Sequence, residues 1–446
     1  MTPHAPDIVF GWSPLWVASV LLVLTYVLII TERLNRSIIA LLGAGVMVVS
    51  GVLTQDEAID GIDFNTIALL TGMMVLVSIS RRSGMFEYLA VWSAKKGRAQ
   101  PWAMLLMLSV TTAVLSAFLD NVTTVLLIAP VTLVVARKLD VPPYPFLFAE
   151  IFASNIGGTA TLIGDPPNII IGSAAGLSFN QFVLNLTPVI VVALAVQSLA
   201  IHLLWGRELH ATPEARARVM ALDERETITD WPLLRYSLVV IGVVMLCFVL
   251  ARQLRLEPGT IAIFGAAVLM LLHNIEHHRD REKQTTRVIE TYNEVDWITI
   301  FFFVGLFVVV HGLEVAGVLD LLAQKLIAAT GGDFAVTAYV ILWASAVLSA
   351  IVDNIPFVAT MIPLIKAMAP TFGGPENLLP LWWALSLGAC LGGNGTLIGA
   401  SANLTVAGIA ERNGIEFSFL TYTKYAFGLM LLSVAICHVY LWLRYL

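Results

Sequence analysis

Charge is what this chain has least of. Asp, Glu, Lys and Arg make up 13% of its 446 residues while 58% are hydrophobic, which is too little polar surface to clothe a soluble body of this size. Basic excess is missing too: a formal charge of −6 offers no face to nucleic acid. Cysteine is nearly absent, and Cys247, Cys390 and Cys437 sit far apart in apolar segments. That excludes a disulfide framework and a zinc cluster and leaves three inert thiols. No nucleophile, base and oxyanion set occurs outside the apolar segments, so no enzyme is expected. Nor does a positive leader or a small-residue cleavage pattern flank the first apolar run, Leu15 to Ile30, which reads as a retained helix. What is abundant is apolar runs of 16 or more residues. Each is near the length that crosses a hydrocarbon core of about 30 Å.

The sequence matches itself at a shift of 233. Asp63, Thr66, Gly72 and Gly84 fall on Asp296, Thr299, Gly305 and Gly317, and the run AVLSAFLDN at 113–121 falls on AVLSAIVDN at 346–354. Two residues more align Gly157-Gly158, Thr161 and Asn168 with Gly392-Gly393, Thr396 and Asn403. The expected division is a first transmembrane repeat at 1–207, a cytoplasmic linker at 208–234 and a second repeat at 235–446.

Lys and Arg collect in cytoplasmic loops of membrane proteins. Helices near 15–31, 36–53 and 64–80 are separated by basic Arg33 and Arg36, then an acidic turn, then Arg81 and Arg82, which puts the N-terminus outside. The apolar stretch 101–136 has basic flanks at both ends, so it enters and returns, turning at Asp120-Asn121. A broken helix near 145–177 and a helix at 182–205 complete the half. This makes an odd number of crossings, so the second half is inverted and its hairpin, near 335–369, enters from outside. The expectation is an all-α polytopic membrane protein of two inverted repeats, with about 10 transmembrane helices, two re-entrant hairpins and two broken helices. It would lie in the inner (plasma) membrane with both termini outside.

Irregular backbone survives at membrane depth only where protein or a water-filled cavity surrounds it. Two hairpin turns, Asp120-Asn121 to Thr124 and Asp353-Asn354 to Pro356, and two glycine-rich breaks, 157–168 and 392–403, have that character. Their free carbonyls, with Asn and Thr side chains, are oxygen ligands for a cation or a hydroxylated solute. Each aspartate could serve only as the N-cap of the helix returning from its turn. Against that stands depth: a carboxylate among 15 to 18 apolar residues on either side costs about 2.5–3.5 kcal/mol, which favours function. Asp120, Asp353, Asp165 and Glu150 are the proton-coupling candidates. His202, His311 and Lys366 read as interfacial, Cys390 as packing, and the run His273 to Asp280 as a solvent-facing loop rather than a metal tract.

At these turns and breaks the sequence resembles the ion transporter superfamily that groups arsenite efflux permeases (ArsB type), the melanosomal P protein, sodium/proton antiporters and sodium-coupled dicarboxylate transporters. The break Gly164-Asp165-Pro166-Pro167-Asn168 is most like the arsenite-permease and P-protein branch. The resemblance implies a homodimer with an elevator or rocking movement. It also implies that Asn121, Thr123, Gly158, Thr161, Asn168, Asn354, Gly393, Thr396 and Asn403 line a site between tips and breaks. Dicarboxylate carriers of this group usually have a Ser-Asn-Thr tip, whereas here Asp precedes Asn at both. Two carboxylates repel a dianion and suit a cation, or a neutral polyol such as arsenite matched by amide and hydroxyl partners. The leading expectation is therefore proton-coupled efflux of arsenite or antimonite, with sodium/proton antiport second and a carboxylate carrier or passive channel behind. No cofactor is expected beyond H+ or Na+. The linker is a place where a cytoplasmic ATPase partner could dock.

Overall fold

Asp and Asn caps, prolines at first turns and long apolar runs set the helix boundaries of a chain in which no strand occurs among the described residues. The computed structural model describes residues 11–31, 33–275 and 280–446. Glu276, His277, His278 and Arg279 of the charged loop lie outside them. The first half holds α1 (Pro14–Ile30), α2 (Arg36–Val49), α3 (Phe64–Arg81), α4 (Met85–Lys96), α5 (Pro101–Phe118), α6 (Asn121–Lys138), α7 (Tyr144–Thr159), α8 (Pro166–Ala175) and α9 (Phe179–Trp205). The second repeats the order: α10 (Trp231–Val249), α11 (Pro258–Asn274), α12 (Trp297–Val315), α13 (Val318–Ala329), α14 (Phe334–Ile351), α15 (Asn354–Ala367), α16 (Leu379–Gly392), α17 (Ser401–Arg412) and α18 (Phe419–Arg444). Eight of these helices are long and apolar enough to cross a membrane, and four shorter ones are apolar as well.

Glycines show how the halves interlock. A Cβ on Gly305 of α12 would meet Ala40 of α2, and one on Gly312 would meet Met47; the two helices therefore run parallel in close contact. Gly259 and Gly72 set α11 parallel to α3 in the same way, against Asn65 and Ala262. Each pair joins one helix from each half. Since α12 is the repeat mate of α3 and α11 of α2, the halves are inverted copies of one plan. These four helices stand beside a bundle of hairpins α5–α6 and α14–α15 with broken helices α7–α8 and α16–α17.

Two amphipathic helices not foreseen from sequence, α4 and α13, connect the first group to the hairpins. Both begin after a glycine in the left-handed region, Gly84 at φ +80° and Gly317 at +75°. After the charged run that was expected as a loop, residues Arg281–Asn293 form a further helix. The linker docks on the first half: Lys95 Nζ donates to Leu222 O at 2.9 Å and to Glu224 Oε2 at 2.5 Å. That hydrogen bond from Lys95 holds the Glu224 carboxyl below the usual carboxylate range.

Candidate functional site

The first hairpin turns on Leu119 and Asp120, both extended. Asp120 N-caps α6: its carboxylate accepts from Thr123 N at 2.8 Å and from the Thr123 hydroxyl. The second turn places Asp353 before α15, but Pro356 stands where the first half has Thr123, and proline has neither an N–H nor a hydroxyl to give. Asp353 is left with one long bond inside its own turn, from Ile355 N at 3.3 Å. Its partner comes from another helix. Arg36, the first residue of α2, donates Nη1 to Asp353 Oδ2 at 2.7 Å and to Ser401 Oγ at 2.9 Å, and Nη2 to Thr299 Oγ1 at 2.9 Å. Phe302 lies 5.1 Å beneath the guanidinium.

Both tips reach one cavity of about 480 Å³, with Asp120 to Thr123 from the first and Asn354 and Ile355 from the second. Asp165 enters from the first break. It is 1% exposed, and its carboxylate oxygens have no hydrogen bond of good geometry, only the Cys390 thiol and the Asn354 amide close by. Asp353 and Asp120 are also its neighbours. Arg36, Arg81, Glu294 and Asp296 line the end formed by the first residues of α2 and α12 and the last of α3. Glu294 is held there by Ser78 at 2.8 Å and Arg82 at 3.0 Å. The lining carries four acids, Asp120, Asp165, Glu294 and Asp296, and two bases, Arg36 and Arg81.

The remaining predicted residues lie beneath this cavity and close the breaks. Asn168 Nδ2 donates to Thr159 O and Thr161 O at 3.1 and 2.9 Å, and Asn403 Nδ2 to Gly393 O and Thr396 O at 2.7 and 2.8 Å. Thr161 and Thr396 each donate their hydroxyl at 2.5 Å to the carbonyl of Ala117 or Ala350, in the arm beside them. Gly158 and Gly393 admit the carbonyls of Gly164 and Gly399 at distances a side chain would obstruct. Glu150 is apart from the cavity, buried, and takes the Thr132 hydroxyl.

Two residues that sequence reading missed complete the centre. Arg36 is one. Asn155 is the other: its Oδ1 accepts from Asn121 Nδ2 at 3.0 Å, and its Nδ2 donates at 2.9 Å to both Asn394 Oδ1 and Asn403 Oδ1. This amide ties the first tip to the second break. Its repeat mate is Cys390, 3.6 Å from Asn168 Oδ1. The available signal was a Ser-Asn pair in an apolar helix, two residues before Gly157. Asn155→Ala orphans three buried amide contacts and should lower stability by at least about 2 kcal/mol. An unchanged thermal transition in detergent would show the network to be dispensable.

Known proteins resemble this chain over most of its length. The family model described as CitMHS, citrate transporter, matches residues 26–388. A protein of Mycobacterium tuberculosis named only as an uncharacterized transporter is 43% identical over 433 residues, covering 96% of this chain and 98% of that one. The human P protein is 35% identical over 509 aligned residues, covering 95% of this chain but 59% of its own length. Among solved structures, the YdaH transporter of Alcanivorax borkumensis superposes with a TM-score of 0.60 over 97% of this chain and 99% of that one, at 15% identity, a likeness of fold alone.

Proposed function

This chain belongs to the citrate transporter family of secondary transporters, and from that premise we propose that it exports a small uncharged hydroxylated solute, with arsenite or antimonite as the reference case, in exchange for protons. The observation that carries this reading is Asp165: two carboxylate oxygens without a hydrogen bond of good geometry, 1% exposed, beside Asp120 and the tip amides in one cavity. A buried carboxyl without a fixed partner is a place where a proton or cation can be loaded and released. The tip residues Asn121, Asn354 and Thr123 offer amide and hydroxyl partners to a neutral polyol.

The family description names citrate, and the cavity argues against free citrate here. Two unit charges about 6 Å apart at an effective dielectric of about 20 repel by about 3 kcal/mol, and of the two lining bases, Arg36 and Arg81, the first is already engaged by Asp353. Sodium/proton antiport is the second reading, favoured by the same pair of oxygens on Asp165, which would serve a small cation equally. In either case the end bearing Arg36, Arg81 and Arg82 faces the cytoplasm, the cavity opens inward and the termini lie outside.

Proteoliposomes under an imposed pH gradient separate these readings. Uncoupler-sensitive arsenite accumulation is the expected result. A sodium-driven pH change with arsenite inert would establish the antiporter, and citrate accumulation with arsenite inert would overturn both.

A further inference from the structure

The two tips are repeat mates in sequence and opposites in charge. At the first, Thr123 supplies the donors for Asp120 from within the turn, and the adjoining break contributes Asp165-Pro166. At the second, Pro356 supplies none, and the break contributes Ala400-Ser401. Donor and non-donor have changed places between the halves. Arg36 fills the gap, and its own mate, at the start of α11, is Pro258. The first tip therefore has two acids and no base. The second has one acid and one base, at 2.7 Å in a partly buried ion pair.

We propose that Arg36 is the resident cation of the second tip, occupying the position a coupling ion would otherwise take, and so makes the carrier couple to one cation per cycle through the first tip alone. A guanidinium held by Asp353, Ser401 and Thr299 and seated on Phe302 cannot leave with substrate as a mobile ion does. Its charge is permanent at any working pH, so the second aspartate keeps a fixed partner throughout the cycle. Removing the guanidinium leaves a partly buried carboxylate without its partner, which then recruits a cation or a proton from solution.

This inference rests on the tips being the coupled-ion sites. The test is the order of dependence of substrate flux on the driving cation, protons or sodium, in proteoliposomes of wild type, Arg36→Gln and the double variant Arg36→Gln/Asp353→Asn. Wild type should show an order of about one, Arg36→Gln about two, and the double variant about one again. An order unchanged in Arg36→Gln overturns the resident cation. If Arg36→Gln does not yield folded protein, the double variant decides: coupled flux of order one supports the proposal, and loss of coupling overturns it by making Asp353 a coupling group. Absence of cation-driven flux in wild type would instead remove the reading of the tips, and this inference with it.

Discussion

Asp120→Asn will reduce cation-driven flux to that of empty liposomes while leaving the protein folded. Asparagine N-caps a helix about as well as aspartate, so the bond from Thr123 N at 2.8 Å survives and the stability cost should stay below about 1 kcal/mol. What is lost is the capping carboxyl of the first tip; Asp353 is compensated by Arg36 and cannot take its place, and Asp165 is left as the one acid there. Asp165→Asn should separate two steps of the same cycle. An amide there imitates the protonated acid, so substrate-for-substrate exchange should persist while uphill accumulation driven by a cation gradient disappears. Gradient-driven accumulation and radiolabel counterflow in the same vesicles check both. Wild-type accumulation by Asp120→Asn would remove this carboxyl from the coupling mechanism, leaving it as a helix cap.

The hairpins and breaks were legible because each leaves a local mark: glycine pairs, a double proline, a capping aspartate and basic flanks repeat at a nearly constant spacing. The same marks predicted two inverted halves, and the parallel pairing of α2 with α12 and α3 with α11 is the packing that inversion requires. Amphipathic α4 and α13 escaped notice because they are short and half-buried and lack an uninterrupted apolar run. Arg36 was read as a loop charge because its partner, Asp353, is 317 residues away, and no local rule pairs residues at that separation. The clue lay in a difference between the repeats rather than in their likeness: Pro356 in place of Thr123 announces a carboxylate in need of a donor. The amides of Asn168 and Asn403 illustrate a further ambiguity. An asparagine in a broken helix reads equally as a ligand or as a partner for the carbonyls the break exposes, and only the folded chain shows these two bonded to Thr161 O and Thr396 O.

Gly157→Ala should be among the most destabilising single-methyl changes in the protein. A Cβ at position 157 would lie 2.2 Å from the carbonyl oxygen of Ala113 and 2.5 Å from its Cα, and one at Gly392 would lie 2.5 and 2.6 Å from the same atoms of Ala346. These are backbone atoms of the neighbouring hairpin arm, so no side chain can turn aside and the helices themselves must part. Their separation would also stretch the bond from Ser116 Oγ to Ser154 O, now 2.7 Å, whose repeat counterpart joins Ser349 Oγ to Ala389 O at 2.6 Å. The same contact fixes each tip against its break, so loss of packing becomes loss of site geometry. Forcing extra volume into a close contact of this kind costs at least about 2 kcal/mol. Gly428, inside α18 with nothing within 4 Å of the position a Cβ would take, provides the contrast: alanine there should be neutral or stabilising by up to about 1 kcal/mol. Thermal unfolding of the two variants in one detergent reads the difference directly. Gly157→Ala melting with Gly428→Ala would mean that helix separation, and therefore hairpin position, is far softer than these distances require.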